Sequence, residues 1–172
     1  HVRSRRQRQM CIRDRSVTKR NGRGKESLNI EKIHSMVGFA TEGITGVSAS
    51  HVEMNSGIQF FDGIDTEDIQ QILIKSANDL ISLDNPNYQY VAARLLLFSL
   101  RKKLFHRLWE HPKFLDHIKL CVEKGMYDKD ILVNYTEAEI DRLNGFIDHE
   151  RDYNFTYAGL RQVMDKYLVQ DR

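Results

Sequence analysis

Lysine and arginine side chains that stand beside non-helical backbone can hold phosphate, and four positions in this sequence have that setting. Lys19 and Arg20 lead into Asn21-Gly22, a pair that tolerates the positive φ angles of a tight turn. Lys32 falls in the first turn of a helix that should begin after Asn29, and Lys102 interrupts the apolar stripe of a long helix. A polyphosphate needs such a set, because its charge is met by ammonium and guanidinium groups together with the free N–H groups of a helix N-terminus, here the one after Asn29. The plainer reading of the same residues is a scatter of exposed cations, and composition alone favours it.

Other chemistry finds less support. There is no G-x-S-x-G, no H-E-x-x-H and no Walker loop, since Gly22-x-Gly24-Lys25 lacks the four-residue spacer that wraps a phosphate. Cys11 and Cys121 are isolated, which argues against a disulfide framework or a zinc site, and Cys121 falls on the apolar stripe Leu115, Ile118, Val122, where a buried thiol is expected. His149-Glu150 with Asp148 and Asp152 could do acid–base work, but charges at a helix end are expected to form a solvated face. His106, His111 and His117 lack i, i+4 spacing among themselves and read as surface groups, while Trp109 reads as core or a helix-end anchor.

The elements that must position the cations follow from periodicity. Ser16 to Arg20, Asn21-Gly22 and Lys25 to Leu28 predict a short hairpin with a glycine-relaxed loop. Ile30, Ile33, Val37 and Ala40 share one helical face behind an Asn29 N-cap. Ser50-x-x-Glu53 predicts a capping box opening a second helix, ended by a turn at Asp62-Gly63. Thr66 is expected to cap a third, with Ile69, Ile72, Leu73, Ala77 and Leu80 inward, running to Asp84-Asn85-Pro86. A fourth spans about Tyr88 to Trp109, until His111-Pro112 breaks it. Three more follow: Phe114 to Lys124 with Gly125 as C-cap, a helix capped by Thr136-x-x-Glu139, and Thr156 to Leu168.

Composition bounds the rest. The chain has 172 residues, of which 41% are hydrophobic and 29% charged, with 2 prolines and 10 glycines, enough for a real core and unlike a low-complexity chain. No run approaches the ~18–20 apolar residues of a membrane span, so a soluble, cytoplasmic protein is expected. The net charge of +2 conceals a basic end: residues 1–25 carry ten Lys/Arg against Asp14 alone. Residues 1–16 read as a disordered or non-native basic arm, the string Met10 to Arg15 resembling translated adapter sequence, and native sequence is expected to begin near Ser16 or Val17. The arm lacks the interleaved aromatics that stack on bases, which makes nucleic acid an improbable partner.

Five strings, Val17-Thr18-Lys19-Arg20-Asn21-Gly22, Leu28-Asn29-Ile30-Glu31-Lys32-Ile33-His34, Phe61-Asp62-Gly63-Ile64-x-Thr66, Tyr88-Gln89-Tyr90-x-Ala92-Ala93-Arg94-Leu95 and Leu100-Arg101-Lys102-Lys103, together resemble the ATP-cone domain that begins the large subunit of aerobic, class Ia ribonucleotide reductase. The resemblance continues through Tyr135-Thr136-Glu137, Phe146 to Asp152 and Lys166 to Arg172. It implies a mainly helical fold, a four-helix cone with a small β-hairpin or three-strand cap at 17–110, followed at 111–172 by a helical lead-in to a catalytic barrel. It also implies the overall-activity site of that enzyme, where ATP supports ribonucleotide reduction and dATP inhibits it, with Mg2+ accompanying the nucleotide.

The resemblance implies phosphate contacts from Lys19, Arg20 and Lys102. It implies further nucleotide contacts from Glu26, Ser27, Leu28, Asn29, Ile30, Glu31, Lys32 and Thr66. Positions where the family leads one to expect histidines near the nucleotide carry Gln70 and Ser99. The redox-active cysteines and radical-transfer tyrosines belong to later parts of such a subunit, so no redox cofactor and no turnover are expected of this chain alone. The implied partners are the small radical-generating subunit and further copies of the large one. Two other readings compete: an ATP-cone transcription regulator, which would need zinc-ribbon cysteines, and a helical nucleic-acid-binding module, which would depend on the basic arm.

Overall fold

A computed structural model describes residues 16–19, 24–57, 62–106 and 110–169. Strand β1 (Ser16–Thr18) pairs antiparallel with β2 (Lys25–Ser27), Val17 opposite Glu26. The predicted hairpin is present, and its Asn21-Gly22 turn lies outside the described residues. A third strand, β3 (Ile64–Asp65), lies parallel to β1 on its other edge, giving the order β2-β1-β3. Asp62 ties that edge together, accepting from the Ser16 backbone N–H at 2.7 Å and its hydroxyl at 2.9 Å. The Gly63 N–H then donates to the Ser16 carbonyl at 2.8 Å from a φ of 80°, a conformation that glycine adopts without a Cβ penalty. Val17 and Ile64 turn inward and seal one end of the helices.

Helix α1 (Ile30–Thr41) starts where the sequence places it, with the Asn29 side chain accepting from the Lys32 N–H at 3.1 Å. Helix α2 (Ala49–Gly57) begins one residue before Ser50, so the expected capping box is not formed; Glu53 instead pairs with His34 of α1 at 2.8 Å. Helix α3 (Thr66–Asp79) is capped by Asp65, whose carboxylate accepts from the Glu67 N–H at 2.9 Å, so Thr66 is the first helical residue rather than the cap. It stops at Asp79, short of the expected Asp84-Asn85-Pro86 boundary, with Leu80 as C-cap. Helix α4 (Tyr88–Phe105) ends on His106 in the left-handed conformation, φ 58°, before the expected Trp109, which lies outside the described residues.

Leu73, Val91, Leu95 and Phe98, with Val37 of α1 and Val52 of α2, form the centre of the core. Burying one such side chain stabilises the fold by roughly 1.5–3 kcal/mol. Beyond Pro112 come α5 (Phe114–Glu123), α6 (Asp130–Asn134), α7 (Glu137–Asn144), a 3-10 turn (His149–Asn154) and α8 (Tyr157–Lys166). The Thr136/Glu139 capping box of α7 is present in both directions, and Cys121 is buried as expected. The short α6 and the 3-10 turn have no counterpart in the sequence reading.

Helix α8 and the 3-10 turn return to the first part of the chain and pack on α4, and Leu160 joins the same core. The anchor is Arg101, only 4% exposed. Its guanidinium donates to Asp152 Oδ2 at 2.9 Å and to the Tyr153 hydroxyl at 3.0 Å. Tyr153 also lies beneath Arg94 and edge-on to Phe98. The expected solvated face at 148–152 is therefore corrected at Asp152, which meets a buried cation. No helix among the described residues is long and apolar enough to cross a membrane.

Candidate functional site

A cleft of about 500 Å³ opens between α1, α3 and the sheet. Its lining is periodic: Asn29, Lys32, Met36 and Phe39 follow one face of α1, and Thr66, Ile69 and Gln70 follow one face of α3. Glu26 and Leu28 approach from β2 and the link after it, and Lys102 from the last turn of α4. Thus seven residues singled out from the sequence, Glu26, Leu28, Asn29, Glu31, Lys32, Thr66 and Lys102, line one cavity although they span 76 positions.

Charge gathers at the mouth. Lys19 Nζ stands 3.1 Å from Glu26 Oε2, and both side chains are substantially exposed. The hydrogen bond from Lys19 holds the Glu26 carboxyl below its ordinary value; desolvation is the next influence and opposes it, and the charges of Lys19, Lys32 and Lys102 add smaller lowering contributions. Three lysines from three separate elements therefore act on one carboxylate. Beside them lies the N-terminus of α1, whose first turn supplies N–H groups and a positive helix dipole.

Further in, the walls become apolar. Ile33, Met36, Ile69 and the half-exposed Phe39 line the cleft. Gln70, by contrast, is 4% exposed and places its amide nitrogen 3.8 Å from the Met36 sulfur. Met36, Phe39, Ile69 and Val17 escaped the search for charged groups. The spacing i, i+4, i+7 from Lys32 through Met36 to Phe39 was the available signal. Ser27 and Ile30, also expected here, are exposed and do not line the cavity, Ser27 being paired with Ser16 in the sheet. Arg20 lies outside the described residues, and Ser99 is buried in α4 away from the lining. The cleft thus sets cations beside walls that are part apolar and part polar.

The family described as ATP cone domain matches residues 15–103. The chain belongs to this family. All residues of the cleft fall within the matched span, and the three-stranded sheet over helices is the cone's own architecture here. Curated relatives extend the likeness beyond the cone. The chain is 51% identical over 156 residues to the ribonucleoside-diphosphate reductase 1 subunit alpha of Escherichia coli K12, covering 91% of this chain and 20% of that protein. It is 44% identical over 147 residues to the subunit alpha of Enterobacteria phage T4, covering 86% and 19%. With the subunit alpha of Helicobacter pylori it shares 40% over 157 residues, covering 91% and 19%. The chain thus spans about a fifth of the length of these relatives.

Among the described residues, no group of three or more His, Cys, Asp or Glu side chains is placed to hold a metal ion. The carboxylates on the cleft are Glu26 and Glu31.

Proposed function

We propose that this chain is the ATP/dATP-binding, overall-activity region of the large subunit of a ribonucleoside-diphosphate reductase. In this reading residues 17–110 form the regulatory cone and 111–172 a helical lead-in to the part of the subunit that reduces ribonucleotides. The observation that carries it is the convergence of Lys19, Lys32 and Lys102 on Glu26 beside a cleft that also has apolar walls at Ile33, Met36, Phe39 and Ile69. The triphosphate takes the place of the Glu26 carboxylate as counter-ion to these lysines, with Arg20 added from the hairpin loop and N–H groups from the start of α1. The base enters between Phe39 and Ile69, where an aromatic face and apolar walls suit a purine, and the Gln70 amide is the group there able to read a polar edge. Glu26 and Glu31 are the carboxylates that would hold a Mg2+ accompanying the polyphosphate, where the ion would offset phosphate charge.

Regulation then requires that the cone bind ATP and dATP with different consequences for its contacts, since a ligand shifts an equilibrium only through differential affinity for its states. Those contacts are with the small radical-generating subunit and with further copies of the large subunit, in the cytoplasm. The chain holds no redox cofactor and does not turn over ribonucleotides alone.

Calorimetric titration of the chain with ATP and then dATP tests the reading. Lys19→Ala and Lys102→Ala should each weaken binding by about tenfold or more, the loss of one charge-assisted phosphate contact. A folded chain that binds neither nucleotide, or variants that bind as tightly as the parent, would overturn it.

A further inference from the structure

Away from the cleft, two histidines expected at the surface are stacked on each other. The ring centroids of His111 and His149 lie 3.6 Å apart with 5° between their planes. His111 stands in the link between α4 and α5, and His149 opens the 3-10 turn that packs on α4. We propose that this stacked pair, with the Arg101–Asp152 contact beside it, is a pH-sensitive clasp: neutral imidazoles hold the 3-10 turn against the end of α4, and their protonation loosens it.

Neutral imidazoles stack favourably through their π faces, whereas two imidazolium rings at this distance set like charges directly against each other. The surroundings offer little relief. Arg101 is buried and contributes a fixed positive charge. Asp152, the carboxylate whose charge acts on His111, already receives the Arg101 guanidinium at 2.9 Å. The hollow beside His111 also holds Lys103 of α4, Glu110, and Asp116, His117 and Lys124 around α5, in which the two lysines offset the two carboxylates; α8 and the residues after it bring the uncharged Met164, Leu168 and Val169. Accordingly the His111 imidazole is held below the ordinary histidine range, first by burial, then by Arg101, then by His149, with Asp152 opposing weakly. A folded-state value below the unfolded 6.5 makes the clasp's stabilisation complete above that pH and drains it as pH falls.

The decisive experiment measures hydrogen-exchange protection of the 149–155 backbone, corrected for intrinsic exchange, in the whole chain from pH 7.5 to 5.0, alongside an NMR titration of both imidazoles. Protection should fall by about tenfold or more across that range. His111→Phe and His149→Phe keep an aromatic ring in place but cannot be protonated, and their protection should stay level. Protection in the parent chain that does not change with pH, or an equal fall in the phenylalanine variants, would overturn the clasp. Should either variant lose the turn at pH 7.5, the parent's titration still decides: a His111 imidazole that titrates in the ordinary histidine range, with protection of 149–155 independent of its charge, would refute it.

Discussion

Glu26 is the residue on which the cleft's electrostatics turn. Its folded value lies below the ordinary 4.5, so the stabilisation from its contact with Lys19 is present above that pH and lost as pH falls through the lowered value. A carboxyl-carbon NMR titration should show its midpoint below the ordinary 4.5 of a glutamate. In Mg2+-free buffer, Glu26→Gln should bind inorganic tripolyphosphate about two- to fivefold more tightly, because an internal competitor for three lysines has gone; exposed ion pairs are weak, so a larger gain is not expected. Weaker binding would assign Glu26 a contact with the ligand instead. At this scale the sequence was legible where a charge broke a pattern. Lys102 stands out against an apolar stripe, but its neighbour Arg101 looks equally ordinary and is the buried one. The partners of Arg101 lie 51 and 52 positions downstream, a separation that periodicity cannot bridge.

Among the elements, α3 separates a capping role from a ligand role in adjacent residues. Asp65 makes the cap hydrogen bond and Thr66 faces the cleft. Asp65→Ala should therefore reduce stability by about 1 kcal/mol in urea denaturation, the usual value of an N-cap. Thr66→Ala should leave the unfolding midpoint nearly unchanged and weaken nucleotide binding. The reverse pattern would restore Thr66 as the cap. Helix faces were readable because burial imposes a 3.6-residue period over several turns. Caps slid by one residue because Asp65-Thr66 and Ser48 to Ser50 each offer more than one side chain able to accept from a helix N-terminus. The two residues of β3 were legible only through family resemblance, since so short a segment has no period and its parallel pairing with β1 spans 47 positions.

Over the whole molecule, the later helices are structural partners of the cone as well as neighbours in sequence. Leu160 lies in the cone's core, and Tyr153, Tyr157 and Met164 pack against it. Residues 16–110 alone should unfold at a lower temperature than residues 16–169, by an amount corresponding to several kcal/mol if each of these side chains contributes about 1–2 kcal/mol of burial. Calorimetric unfolding of the two fragments would measure the difference, and equal midpoints would show the cone to be self-sufficient. Helix α4 ends at Phe105, ahead of Pro112, which lies in the link to α5, and local pattern carried no sign that α8 comes back to α4.

That return sets an order of events during synthesis. While the chain leaves the ribosome, the sheet and the first four helices can assemble from contacts already made, but Arg101 remains without Asp152 and Tyr153, and one flank of α4 stays wet until about fifty further residues have emerged. The last piece of the core to be translated is thus one of its closing pieces, and a nascent cone has to wait with a guanidinium and a phenyl ring uncovered before its principal helix is enclosed.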